Sequence, residues 1–507
     1  MHIRNHLRWE RYGYMKRSVM LVIIMCLIAL LTGCAQTQPA EGNGDGGHNE
    51  DGSLVDGMNV IIKNSGTGRF LNTRTHGMVD HAVAIQLGQS KMLDEVWTLR
   101  KASGGWHIQN AMTGRFLTYR DNEAGSVIEV ATDPTDNSIW LVSAGDDRLG
   151  AVSITTTPGD LALGFSSDDI TVANEPLLVE YSAGLATLEW SLVQVALPEN
   201  CPVMLPLEGD LFHSSCPQII KEGDTYYLII MAPGIVIKES KDLVNWKATD
   251  KVFPRGDPSW LADEVPGYGI WAPSCYKMGD LYYTYYCIST IGKQNSAIGV
   301  AMNKTLDRAS PEYKWEDLGM VLRSHTGDLY NAIDPNIAFD DDGRVWLTFG
   351  SYWNGLYQME VDADTGLLKN PDAEPIHIAK RIGDNGAIEA PYIIKRNGYY
   401  YLFTAFNPMN LTYHNRVGRS EGIHGPYIAR DGNKMLNGAG TIVTKGLLDL
   451  TMPGHASVFF DDGRHYLVGE YFRTNSPSIL FISTIEWDDD GWPISALTPD
   501  IYRVVGD

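Results

Sequence analysis

Along residues 58–195, apolar and polar positions alternate in short runs broken by Gly and Asn. That is the pattern of half-buried strands joined by turns. The pattern repeats. "IIKNSGTGRFLNT" from Ile61 returns as "HIQNAMTGRFLTY" from His107 and, more weakly, as "SITTTPGDLALGF" from Ser153. A tryptophan follows each copy: Trp97, Trp140 and Trp190. Three repeats of about 45 residues, none able to bury its apolar face alone, predict a threefold all-β domain with the tryptophans in its core.

Residues 208–507 carry a second, longer repeat. Its copies are "CPQIIKEGDTYYLI" from Cys216, "APSCYKMGDLYYTYY" from Ala272, "DPNIAFDDDGRVWLTFG" from Asp334, "EAPYIIKRNGYYYLFTA" from Glu389 and "GHASVFFDDGRHYLVGE" from Gly454. Each reads as an apolar strand, a Gly-centred turn and an aromatic strand, which is a hairpin. Five copies roughly 60 residues apart predict five blades of about four strands, a five-bladed β-propeller.

The remaining segments are of other kinds. Residues 196–207, rich in proline, read as a linker between the two repeat regions. Residues 35–57 are rich in Gly and acid and read as a flexible tether. In residues 1–34, Lys16 and Arg17 precede an apolar run from Val19 to Leu31, as in an export signal. The ending "LTGC" resembles a bacterial lipoprotein box, which implies lipidation at Cys34 and anchoring to the membrane or cell surface. Net charge is -22. Residues 1–34 hold five cations and one anion, +4, so the rest carries -22 - 4 = -26. No basic stripe is available for phosphates, which argues against nucleic acid and is compatible with a neutral substrate. Cys201, Cys216, Cys275 and Cys287 lie beyond the leader, and export permits disulfides among them without fixing a pairing.

In a propeller the innermost strands line a central channel, so equivalent points of the repeats converge. Those points hold Cys216, Ala272, Asp334, Glu389 and, slightly offset, His455. Asp334 and Glu389 sit in apolar runs, "NAIDPNIAF" and "GAIEAPYII", where an unpaired charge is expensive. Their placement points to chemistry.

Residues 208–507 resemble glycoside hydrolase family 43, in its endo-1,5-α-L-arabinanase branch. "GIWAPSCYKMGDLYYTYYCISTIGKQNSAIGVA", "YNAIDPNIAFDDDGRVWLTFGSYWNGL", "GAIEAPYIIKRNGYYYLFTAF", "GRSEGIHGPY" and "MPGHASVFF" carry the likeness. The resemblance implies inverting hydrolysis of arabinan or a related pentose polysaccharide. Glu389 would be the general acid and Asp334 would modulate its pKa. Trp271, Ser274, Ser296, Asn331 and Ser351 would bind substrate. His455 would stand beside one Ca2+ or other cation in the channel. The family's general-base Asp, in His-Asp-Pro-Ser, aligns with Cys216, and Ser274 replaces the Asp of Trp-Ala-Pro-Asp. A thiol with a pKa of ~8.5 is a poor base for activating water. Glu208, Asp210, an oxidised Cys216 or a different base serving a different substrate would have to replace it, or the protein is a catalytically inactive cell-surface carbohydrate binder. Residues 58–195 resemble a ricin-type β-trefoil of carbohydrate-binding module family 13, although its Gln-x-Trp reads Glu95, Ser138 and Leu188 at the Gln position. The expected protein is a monomer that meets the membrane through its lipid anchor alone.

Overall fold

The computed structural model describes residues 54–73, 82–87, 89–144, 151–157, 159–165, 175–182, 185–409, 412–446 and 450–506. The expected leader and all but the last four residues of the expected tether lie outside the described residues. Strands dominate. Among the described residues the one α-helix, Trp260–Glu264, is five residues long.

In the N-terminal part, six strands pair edge to edge around a closed ring: Asn59–Asn64, Val96–Ala102, Gly105–Asn110, Ile139–Ala144, Ala151–Thr155 and Glu189–Ala196. Three hairpins add to it, one per sequence repeat. Trp97, Trp140 and Trp190 are fully buried. Each donates its indole N–H to a backbone carbonyl, of Leu71, Leu117 and Leu163, at 3.1, 2.9 and 2.9 Å. A buried indole needs such an acceptor, and each repeat supplies it at the same place. Asn64 and Asn110 accept bonds from backbone N–H groups two and three residues on, closing equivalent turns.

The five later repeats form five separate antiparallel sheets, the blades of a propeller. Their innermost strands are Ser215–Glu222, Gly269–Met278, Asn336–Phe339, Ile388–Arg396 and Thr451–Asp461. Two of the first hairpins turn through Asn397-Gly398 and Asp462-Gly463, with both residues at positive φ. That is the turn whose twist matches a hairpin.

Side chains stitch neighbouring blades together near the axis. Gln218 exchanges two 2.9 Å bonds with the backbone of Cys275, joining blades one and two. Asn336 donates to the Tyr276 hydroxyl and accepts from the Ile393 N–H, tying blade three to two and four. Asn415 donates to the Pro453 carbonyl across the next seam. The Ser457 hydroxyl closes the ring by donating to the Pro217 carbonyl at 2.8 Å.

The segment read as a linker is bonded along blade five. Leu205 N–H donates to Ile482, and Thr484 N–H donates to Val203, each at 2.9 Å. The N-terminal ring is docked as well. Its last strand pairs with Arg503–Val504, and Tyr502 donates to the Glu95 carboxylate at 2.5 Å. One apolar cluster spans the junction, joining Ile61, Met92 and Val96 to Leu497 and Ile501. The four cysteines beyond the leader are buried free thiols.

Candidate active site

The channel floor is set by one backbone device used five times. Cys216, Ala272, Asp334, Ala390 and His455 all have positive φ, between 40° and 56°. All but His455 precede proline. In four blades a bulge falls there: pairing skips from Ser215 to Gln218, Trp271 to Ser274, Glu389 to Tyr392 and Gly454 to Ser457. Bulges re-aim side chains, and non-Gly residues in this region carry strain that a fold retains at functional sites. This corrects the sequence phase. Ala390, not Glu389, is the fourth equivalent residue, and His455 is in register rather than offset.

Glu389 stands one residue before the bulge. Its Oε2 accepts a 2.8 Å bond from the Ser351 hydroxyl, and Tyr413 donates to its carboxyl as well. Burial raises its pKa against these two donors. Asp334, nearly fully buried, accepts the Ala390 N–H at Oδ2, 3.0 Å. Its pKa is pushed well up by burial first and by the Glu389 charge second. The two carboxyls therefore keep a proton between them to higher pH than a solvated carboxyl would.

Cys216 and His455 meet across the seam between blades one and five, with Sγ 3.4 Å from Nδ1. Burial raises the thiol pKa well above its usual value, and the charges of Glu470 and Asp334 add to this. Burial lowers His455 to about 4, so its imidazole is neutral. The thiol is neither a ready base nor a ready target for oxidation to a sulfinate. Glu470 completes the group. Its carboxyl is held up to about 7 by burial, with Ser215 and the Cys216 N–H pulling the other way. Donor atoms of Cys216, His455 and Glu470 all lie within 4.8 Å of one another.

These groups line a cavity of about 910 Å³. Trp271, Asn331 and Ser351 line it too, together with Tyr352 and Trp353. The other two residues assigned to substrate binding lie elsewhere. Ser274 is two positions past the bulge, roughly 6–7 Å deeper, where it bonds the Tyr276 hydroxyl and borders a small space of about 30 Å³ below the floor. Ser296 is fully buried behind the wall, bonded at 2.8 Å to Ser289, which does line the cavity. Glu208 and Asp210 are exposed at the outer edge of blade one. Glu208 pairs there with Asn245, and the Asp210 carboxylate is occupied by the Ala248 N–H. Sequence reasoning passed over Glu470 and Tyr413. The signal for Glu470 was a lone carboxylate in the apolar strand "YLVGEYF".

The calcium implied at His455 fits these residues poorly. Calcium takes six to eight oxygen ligands, whereas His455 faces a thiol sulfur at 3.4 Å and a single carboxylate beyond it.

Comparison with known proteins agrees with this geometry. Residues 212–493, more than half of the chain, match the family model described as glycosyl hydrolases family 43. The chain is 39% identical over 296 residues to the extracellular exo-α-(1→5)-L-arabinofuranosidase ArbA of Cellvibrio japonicus, covering 55% of this chain and 84% of that one. It is 35% identical over 297 residues to the extracellular endo-α-(1→5)-L-arabinanase 1 of Bacillus subtilis, covering 56% and 88%. Among solved structures, the α-L-arabinanase of Cellvibrio cellulosa complexed with arabinohexaose superposes with a TM-score of 0.54 at 39% identity, covering 56% of this chain and 96% of that one. The five-bladed fold and the match across it make the chain a member of glycosyl hydrolases family 43, a glycoside hydrolase acting on O-glycosyl bonds.

Proposed function

We propose that the protein hydrolyses α-1,5-linked arabinan or a related pentose polysaccharide with inversion at the anomeric carbon. The observation that carries this reading is Glu389, a half-buried carboxyl with a raised pKa, on the wall of the same cavity as Trp271 and Trp353. Protonated Glu389 delivers its proton to the leaving oxygen, with Ser351 and Tyr413 orienting the carboxyl. Trp271 and Trp353 offer sugar rings apolar faces. Asn331 Oδ1, buried with no hydrogen-bond partner among the described residues, is an acceptor for a sugar hydroxyl. The names of the relatives, arabinanases and an arabinofuranosidase, support the substrate class.

The closed ring of three tryptophan-centred repeats is best read as a β-trefoil that brings the catalytic domain to polysaccharide. Export and a lipid anchor at Cys34 would place a monomeric enzyme at the bacterial surface. Relatives named extracellular support export.

A second reading, a surface glycan binder with little turnover, is favoured by the protonated thiol of Cys216 at the base position. Reducing-sugar release from linear 1,5-α-arabinan, with wild type beside Cys216→Asp and Glu389→Gln, tests both readings. Release by wild type that is lost in Glu389→Gln supports hydrolysis. Silence of wild type with turnover by Cys216→Asp supports the binder. Silence of every form overturns the arabinan assignment.

A further inference from the structure

We propose that Cys216, His455 and Glu470 form a three-ligand site for a zinc-type divalent transition metal, with its fourth position open to the glycan cavity. The donor set is one thiolate, one imidazole and one carboxylate, each an accepted ligand for such a metal. The geometry agrees. Zinc–sulfur and zinc–nitrogen bonds of about 2.3 and 2.0 Å at a tetrahedral angle place the two atoms about 3.5 Å apart. Cys216 Sγ and His455 Nδ1 are 3.4 Å apart. The carboxylate of Glu470 is within 4.8 Å of both, so a small side-chain movement completes the triangle.

A second observation points independently to a ligand. Glu470 is 2% exposed, and its Oε2 has no hydrogen-bond partner among the described residues. A buried, unpartnered carboxylate oxygen is costly.

The ligands are also held in place. Cys216 and His455 occupy the strained bulges at the seam, and the Ser457 hydroxyl pins the two strands together through Pro217. Glu470 pairs directly with Gly454, next to His455. Three protein ligands with one open position are the form of a catalytic rather than a structural zinc site.

The metal would supply the function that the missing aspartate supplies elsewhere. It lowers the pKa of a bound water to about 7. The bound hydroxide adds to the anomeric carbon as the glycosidic C–O bond breaks, and Glu389 gives its proton to the departing oxygen. A second water refills the metal, and the proton it loses to solvent is matched by the one Glu389 regains. One water is consumed per bond cleaved. This hydrolytic role rests on the reading of the previous section, whereas the metal site does not.

Cobalt(II) titration of the purified, metal-stripped full chain tests the site without any glycan. The expected result is one cobalt per chain, a near-ultraviolet thiolate-to-cobalt charge-transfer band and the intense visible bands of a four-coordinate ion. Zinc should displace the cobalt and excess calcium should not. Cys216→Ser should lose the charge-transfer band, and Glu470→Gln should weaken cobalt binding at least ~10-fold. Circular dichroism separates these effects from misfolding, and if Cys216→Ser fails to fold, the wild-type band alone decides. Absence of that band, its persistence in folded Cys216→Ser, or displacement of cobalt by calcium overturns the proposal.

Discussion

Ala390 donates its backbone N–H to Oδ2 of Asp334 at 3.0 Å, so the residue next to Glu389 holds the neighbouring carboxylate in place. Glu389 and Asp334 are thus coupled through backbone as well as through charge. Burial raises both, and the Glu389 charge adds to this at Asp334; because the repulsion between two anions is mutual, an Asp334 anion would in turn oppose ionisation of Glu389. If Glu389 must be protonated to act, activity falls as pH rises through its ionisation. Asp334→Asn removes the opposing charge, Glu389 ionises at lower pH, and the alkaline limb of kcat/KM should move to lower pH. A limb that stays in place would show that Asp334 does not act on Glu389.

Glu389→Gln keeps an acceptor for the Ser351 hydroxyl but cannot give a proton. Turnover should drop by ~10²–10⁴, with the melting temperature little changed. Retention of wild-type turnover would assign the acid to another group.

Lys238 is a buried cation whose ammonium donates to Asp210 O, Phe212 O and Ser214 Oγ at 2.6, 2.9 and 2.8 Å. It pins the chain that leads into Cys216. Lys238→Met strands three acceptors, and urea denaturation should show a loss of about 1–3 kcal/mol. An unchanged midpoint would mean that this stretch is held from elsewhere.

Tyr502 bonds to Glu95 across the junction of the two halves, at 2.5 Å, and accepts from Gln89. Tyr502→Phe should cost about 1.5–3 kcal/mol of docking, as for a hydrogen bond to a charged group. Calorimetry should show one unfolding transition for wild type and a resolved, earlier transition of the N-terminal half in the variant. Coincident transitions in both forms would assign the docking to the apolar cluster alone.

Both repeat systems were legible in the chain, because strand alternation and turn residues are local. Trp97, Trp140 and Trp190 fell in the core as their spacing suggested. Asp334, Glu389, Cys216 and His455 were legible as converging groups. The phase of Glu389 was not, since a bulge shifts the inward position by one residue and leaves no clear mark in the sequence. Ser274 shares the inward face of its strand with the channel floor, but alternation reports the face and not the depth.

The sequence by itself determined which segments pair as hairpins, how many blades they make, the family, and the absence of a carboxylate at position 216. These rest on local pattern and on motif. Only the tertiary structure decided what surrounds that position. Cys216 and His455 are 239 residues apart and meet because the first and last blades close the ring. Glu470 reaches them through the second strand of the last blade, while Asp210, only six residues from Cys216, is carried to the blade's outer edge. Proximity in a propeller follows the distance of each strand from the axis, so distant residues form the site and near neighbours stand outside it.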